Sequence, residues 1–222
     1  MKKNTIITID GPAGAGKTTI AKEVAKRLGF LYLDTGAMYR ALTLKALTEG
    51  ITVEEEEKLV EMVKETILIA KKDDKKGMRI WVDGEEVTDK IRTEEVTNNI
   101  WWVCRVKDVR KKMKKLQREI GSSGGIVVEG RDIGTVVFPK APFKFYLDAS
   151  IDERAKRRWL EQTNKGIQSD LEKIKQDIKE RDNKDFTREI APLKKAEDAI
   201  SVDTTGLSIE DVVGKIIEQV SQ

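Results

Sequence analysis

An apolar stretch at residues 5–9 runs directly into Gly11-Pro-Ala-Gly-Ala-Gly-Lys17-Thr18, and no other part of the chain restricts its fold so tightly. The spacing is G-x-x-x-x-G-K-[ST], the P-loop. It is preceded by a buried-strand pattern and followed by a helix-forming run, which is the context that gives the motif meaning. Gly11, Gly14 and Gly16 let the backbone turn tightly. The segment Gly11, Pro12, Ala13, Gly14, Ala15, Gly16, Lys17, Thr18 and Thr19 then wraps a concavity in which N–H groups meet phosphate oxygens. The helix that starts near Gly16 adds its positive end. Lys17 can reach the outer phosphates, and the Thr18 hydroxyl can hold Mg²⁺. A turn that only joined a strand to a helix would need neither the lysine nor the threonine, so a nucleoside triphosphate is expected here.

Composition narrows the class. With 222 residues the chain suits one substantial α/β domain with insertions, and 39% hydrophobic residues can fill its core. No apolar run approaches membrane-spanning length, and Asp10 and Gly11 interrupt any signal-peptide pattern. The single cysteine, Cys104, rules out an intramolecular disulfide or a cysteine-based metal cluster and fits a reducing, cytoplasmic location. Histidine is absent, so proton transfer must use carboxylates, lysine or water. Charged residues make up 36% of the chain against a net charge of +3, a mixture of surface pairs rather than a polybasic arm. The basic run at 105–118 lacks interleaved aromatics, so no nucleic-acid partner is expected.

Strand-like and helix-like runs alternate, which argues for a parallel sheet with crossover helices. Strands are expected near 5–9, 30–33, 125–129, 143–147 and 199–202, and helices near 17–28, 36–48, 151–162 and 209–219. Two stretches break the alternation. Residues 52–91 hold an acidic helix, from 53 to about 71, then two short alternating runs joined by Asp83-Gly84, a strong hairpin signal. They read as a small α+β insertion on the main sheet. Residues 163–170 are polar, with Gly166 at their centre, and suit a mobile lid.

The motifs that mark regulatory GTPases fail here. Asn183-Lys184-Asp185-Phe186 has Phe where a second Asp belongs, and Asp132-Ile133-Gly134 is one residue short of D-x-x-G. A small phosphotransferase remains, and it needs a second anionic substrate with its own cationic clamp. Arginines are placed to supply it. Arg40 follows the second strand and Arg131 the third, so both are expected at the carboxyl-end rim beside the P-loop. Arg181, Asp185 and Arg188 are spaced to share one helix face. Arg154, Arg157 and Arg158 enter the lid, on a charge-rich helix where a solvated face is the commoner outcome. An arginine fork meets phosphate bidentately and cannot lose its charge. Trp101-Trp102 is expected to pack against the insertion rather than on a base.

Taken in order, Gly11–Thr18, the block from Asp34 to Arg40, Ile91-Arg-Thr93, Glu129-Gly-Arg-Asp-Ile-Gly-Thr135, Asp148-Ala-Ser150, the arginines of 153–158, Arg181-Asp182, Ala191-Pro-Leu193 and Ala196-Glu-Asp198 resemble bacterial cytidylate kinases nearly end to end. The resemblance implies an α/β P-loop kinase with a five-stranded parallel sheet. Its core would be 1–51, 92–150 and 171–222, with a nucleoside-monophosphate insertion at about 52–91 and a short lid at about 151–170. It implies γ-phosphoryl transfer from ATP, with Mg²⁺, to CMP or dCMP by a monomer. By position, Arg40 and Arg131 resemble clamps on the acceptor phosphate, Arg110 and Asp132 readers of cytosine, and Arg181, Asp185 and Arg188 sugar and phosphate contacts. Thr35 and Tyr39 stand beside the acceptor, and Lys17, Arg131, Arg157 and Arg158 would offset charge during transfer. One departure stands out. The family carries Ser, which reads the cytosine amino group, where this chain has Trp101; either Asn98 or Asn99 replaces it or discrimination against uracil weakens. The alternatives are a broader UMP/CMP kinase, a kinase for another small anion such as shikimate, or a non-catalytic ATP-binding regulatory or RNA-associated module.

Overall fold

The computed structural model describes residues 5–73 and 77–221. Five parallel strands, β1 (Ile6–Asp10), β2 (Leu31–Asp34), β6 (Ile126–Gly130), β7 (Phe143–Asp148) and β8 (Ile200–Asp203), form one sheet in the order β2-β6-β1-β7-β8. The strands and helices expected for the main sheet all form, with ends shifted by a residue or two. Side chains alternate across the sheet, so register decides which residues share a core. Ile7 pairs with Val127 and Phe143, and Ile9 pairs with Glu129 and Phe145. Ile7, Ile9, Val127, Phe145 and Leu147 therefore face α1 (Lys17–Leu28) and α8 (Ile209–Ser221), where Val24, Val213 and Ile216 are fully buried. Ile126 and Val128 point the other way, into a larger core built with α2 (Thr35–Thr48), α4 (Glu94–Arg105) and α5 (Lys107–Ile120).

The register also places the site. Asp10, the last residue of β1, stands beside Gly130, the last residue of β6. The P-loop and the segment that begins with Arg131 thus leave the carboxyl ends of adjacent central strands, where open α/β sheets bind ligands.

The insertion holds α3 (Glu56–Glu65) and a separate antiparallel sheet of β3 (Leu68–Asp73), β4 (Gly77–Val82) and β5 (Glu85–Glu86). Asp83 and Gly84 both have positive φ, 50° and 89°, as the hairpin signal requires. The acidic helix is shorter than the sequence pattern suggests. It stops at Glu65 instead of continuing to about 71, because Lys112 of α5 donates to the carbonyls of Val63, Lys64 and Thr66 and so satisfies its C-terminal end. The β-branched run Thr66-Ile67 then leads into a strand whose Leu68 is buried beside Val82. Trp102 is buried in the core that joins the insertion to the main sheet, as expected, but Trp101 is not: 38% exposed, its ring lies 5.1 Å from both Arg105 and Lys184. After the 3₁₀ turn Lys90–Arg92, α4 and α5 return the chain to β6, and a π turn, Ile133–Val137, follows it. The expected lid lies between α6 (Ile151–Asn164) and α7 (Leu171–Thr187), where Gly166 has φ 72°.

Candidate active site

The P-loop closes so tightly that two of its glycines have no substitute. Gly11 has φ 150°, and a Cβ there would sit 2.0 Å from the Leu147 carbonyl oxygen. Gly14 has φ 78°, and its Cβ would lie 2.9 Å from Cβ of Arg154 on α6. At the N-terminus of α1 no side chain caps the helix and no acidic residue occupies the first turn. Its N–H groups and positive end stay open to an anion. Lys17 curls back, and its Nζ donates to the Pro12 carbonyl at 2.7 Å. Burial, with Arg131 and Arg181 close by and Glu129 opposing them, pulls the Lys17 pKa down to about 7. A lysine held this way is short of negative charge.

Opposite the loop, arginines from four separate elements meet. Arg131 donates to Asp185 at 2.8 Å. Arg110, from α5, pairs with Asp132, donates to the Cys104 carbonyl at 3.1 Å, and lies 5.6 Å from the Tyr39 ring. Arg188 stands 3.5 Å from both Asp132 and Asp185, and its buried Nη2 makes no hydrogen bond among the described residues. Burial, then Arg131 and Arg40, push the Arg181 pKa down to about 9. Arg40 is likewise lowered by burial, with Arg92 and Arg131 adding to the effect and Asp34 resisting it. The cations are close enough to depress one another and Lys17. Arg40, Arg110, Arg131, Arg181 and Arg188 therefore form one rim with Asp132 and Asp185 among them. Thr35 borders it, buried, with its hydroxyl donating to the Glu129 carbonyl at 2.7 Å.

The lid arginines separate into distinct environments. Arg157 donates to the Thr204 carbonyl at 2.6 Å, to its hydroxyl at 2.9 Å and to Glu153 at 2.9 Å, and its Nη1 lies 3.6 Å from where a Cβ on Gly16 would stand. It sits on the P-loop. Arg158 is exposed and pairs with Glu161 at 2.9 Å. Arg154, where a solvated face was the commoner expectation, is 8% exposed and pairs with Asp182.

Several polar residues of the site belong to no motif that the sequence makes evident. Asp10 accepts from the N–H groups of Ile133 at 2.9 Å and Gly134 at 2.7 Å, which fixes the segment carrying Arg131 and Asp132. Burial raises its pKa to about 6 against those two bonds. Glu129 is buried, accepts from the Tyr32 hydroxyl at 2.5 Å and lies near the Thr18 hydroxyl. Burial first, then Asp34, raises its pKa while Lys17 lowers it. Arg92 reaches Asp34 at 3.2 Å. A signal was available for the two carboxylates: each is an acid closing an otherwise apolar strand, and the interior end of a buried strand is no place for an idle charge.

A triphosphate-type loop facing a second cationic rim across one sheet edge defines a small phosphotransferase with two anionic substrates. Comparison with known proteins narrows the class. The cytidylate kinase family model matches residues 7–222. Cytidylate kinase of Geobacillus sp. (strain WCH70) is 51% identical over 222 residues, covering 100% of this chain and 99% of that protein. Cytidylate kinase of Bacillus subtilis (strain 168) is 48% identical over 224 residues, with 100% and 99% covered. The chain belongs to the cytidylate kinase family. Two solved structures share its fold. One is an uncharacterized protein from Eubacterium ventriosum ATCC 27560, 13% identical, TM-score 0.56, covering 99% of each chain. The other is a gluconokinase from Sinorhizobium meliloti 1021, 14% identical, TM-score 0.50, covering 100% of this chain and 94% of that one.

Proposed function

We propose that the protein transfers the γ-phosphoryl group of ATP to CMP or dCMP, giving ADP and the nucleoside diphosphate. The observation that carries this reading is the register that sets Asp10 beside Gly130. The P-loop and the segment carrying Arg131 therefore leave neighbouring strand ends and face one another, with Arg131 held by Asp185 of α7 at 2.8 Å. ATP lies with its phosphates along Gly11–Thr19 and against the open end of α1. The acceptor phosphate seats on Arg40, Arg131, Arg181 and Arg188, and Arg110 with Asp132 meets the cytosine edge. Thr35 and Tyr39 wall the acceptor, and Asp185 meets the sugar.

An oxygen of the acceptor phosphate attacks the γ-phosphorus. The bond from that phosphorus to the bridging oxygen of ADP breaks, and ADP leaves with the electron pair. The attacking oxygen is already anionic, so a site without histidine lacks nothing. The protein supplies alignment and charge. Lys17, its pKa drawn down to about 7, carries only part of its charge in the empty site near neutral pH. It regains the whole of it against the triphosphate, while Arg131 bridges donor and acceptor. Arg157 stands at the loop; Arg158 would join only through closure of the lid, which would also exclude water. The core, the insertion at about 52–91 and the lid at about 151–170 are proposed to move as separate units around these groups.

Among the described residues no cluster of three His, Cys, Asp or Glu side chains could hold a metal by itself. That suits Mg²⁺, which keeps several waters and binds through few protein oxygens plus substrate phosphates. The Thr18 hydroxyl beside the Glu129 carboxylate, with Asp34 near, offers such hard oxygen donors. When bound there, Mg²⁺ would offset charge on the phosphate oxygens. A monomeric state is proposed as well, and among the described residues no helix is long and apolar enough to cross a membrane. A cytoplasmic location is part of the proposal.

A broader pyrimidine specificity has one observation in its favour. Asn99 already donates to the Glu95 carbonyl at 3.0 Å and accepts from Trp102 at 3.2 Å, and Asn98 is exposed. Neither replaces a hydroxyl at position 101. A panel of CMP, dCMP, UMP and shikimate with ADP release as readout tests the proposal. CMP and dCMP should turn over fastest, with UMP slower but measurable. ATP binding without turnover of any monophosphate would overturn it.

A further inference from the structure

Asp182 and Arg154 take no part in the scheme above, yet they grip the P-loop by its backbone. The N–H of Ala13 donates to Asp182 Oδ1 at 3.0 Å, and the Ala13 carbonyl accepts from Arg154 Nη1 at 3.0 Å. Arg154 also pairs with the second oxygen of Asp182, and its Nε donates to the Ala149 carbonyl at 3.0 Å. One residue of the loop is thus bracketed on both polar groups by a buried ion pair. Buried pairs are poor sources of stability, since well-packed apolar side chains often do as well. A role in holding one loop geometry accounts for this pair better.

The position of Asp182 says what that geometry answers to. It lies on α7, beside Arg181 and one turn before Asp185, which holds Arg131. A single helix therefore takes hold of the donor loop through Asp182 and of the acceptor rim through Arg181 and Asp185. Asp185 holds Arg131 through Nε, so a phosphate that seats on Arg131 and Arg181 would pull on the Arg131–Asp185 bond. Asp185 and Asp182 share a helical turn and must shift together. We infer that Asp182 and Arg154 are positioning residues that transmit occupancy of the acceptor rim to the P-loop, so that a bound nucleoside monophosphate changes the affinity for ATP. This rests on the acceptor assignment proposed above.

A second route could couple the same sites, because an acceptor phosphate would relieve the cation crowding around Lys17. That route leaves Asp182 out, and the experiment separates the two. Calorimetric titration of a non-transferable ATP analogue, with and without saturating CMP, would be run on the wild type, Asp182→Asn and Arg154→Met. CMP should change the wild-type dissociation constant by about 5-fold or more, and either substitution should cut that factor to about 2-fold or less. Wild-type affinity indifferent to CMP, or full coupling retained in both variants, would overturn the inference. If neither variant folds, the Ala13 amide resonance of the wild type decides. It should move when CMP alone is added, and an unmoved resonance is equally fatal. Failure of CMP to bind the wild type at all would sink the acceptor assignment and this inference with it, whereas CMP that binds without affecting the analogue sinks the inference alone.

Discussion

The donor loop and the acceptor rim leave neighbouring strands, yet they manage charge in opposite ways. On the rim three of the cations have carboxylates in place beforehand: Arg131 has Asp185, Arg110 has Asp132, and Arg188 stands between both acids. The pKa values of Arg181 and Arg40 are lowered by burial and by neighbouring arginines. Burial opposes charge on Arg131, but Asp185 more than offsets it and its pKa rises. Lys17 has instead a neutral carbonyl at 2.7 Å and two arginines in its field, and its pKa falls to about 7. The donor site is thus incomplete until phosphates arrive, whereas the rim already holds acids among its cations, and a phosphate that seats there competes with them. Binding of ATP gains from relief of repulsion. Binding of the acceptor is closer to a substitution, in which selectivity is set by what the released carboxylates do next.

Removing the rim's central cation should break this comparison most visibly. Arg131→Ala is expected to lower CMP phosphorylation by roughly 10²–10³-fold, the scale of one preorganised transition-state donor. ATP affinity should hold or improve, because Lys17 loses a repulsive neighbour. Steady-state ADP release beside analogue titration checks both halves, and near-normal turnover would remove Arg131 from the clamp.

Crowding the loop should have the next largest effect. Gly14→Ala places a methyl 2.9 Å from Arg154 Cβ at a φ of 78°. Overpacking of this kind costs about 1–3 kcal/mol, and the left-handed backbone adds to it. A lowered melting temperature and a raised KM for ATP, with KM for CMP less affected, are expected. Equal changes in both would mean that the loop and rim respond as one body.

The pH dependence sharpens the contrast further. An unfolded lysine keeps its proton up to about 10.5 and folded Lys17 only to about 7, so between those values the unfolded chain binds more protons. Through this group, stability of the empty enzyme should therefore rise with pH across that window. ATP that requires the charged lysine must bring back a proton. Calorimetry near pH 8 in buffers of different ionisation enthalpy should show proton uptake with ATP, and analogue affinity should fall by up to about 10-fold per pH unit. CMP alone, resting on arginines, should show far less of either. Uptake of equal size for both ligands would dissolve the distinction between loop and rim.

What was legible beforehand follows the same division. Gly11–Thr18 and the alternating strands could be read because backbone geometry imposes residue types at short spacing. The rim arginines could be placed because each follows a strand or shares a helix face. The clamp of Asp182 and Arg154 could not, since it joins residues 28 and 169 positions apart along the chain and neither sits in a spacing pattern of its own. Asp10 and Glu129 left only a faint mark, as single acids at the ends of apolar strands whose partners are backbone N–H groups or hydroxyls. The end of α3 depended on a lysine from α5, which local propensity does not contain.

The smallest effect concerns Trp101, where the resemblance implies a serine. Trp101 lies between Arg105 and Lys184, and Lys184 adjoins Asp185, so the indole joins α4 to α7 across the rim's outer side. Each exposed cation–π contact is worth about 0.5–1 kcal/mol, and Trp101→Ser would remove both while leaving buried Trp102 in place. The melting temperature should drop slightly. The new hydroxyl would accept from the cytosine amino group, whereas with uracil it would have to turn and donate to the 4-oxo oxygen. The gain therefore falls mainly on cytosine where the hydroxyl proton is held elsewhere. One neutral hydrogen bond contributes about 0.5–1.5 kcal/mol, so the ratio of kcat/KM for CMP over UMP should rise by about 2- to 10-fold. An unchanged ratio would mean that Arg110 and Asp132 read the base alone, and that the tryptophan serves only to hold the two helices together.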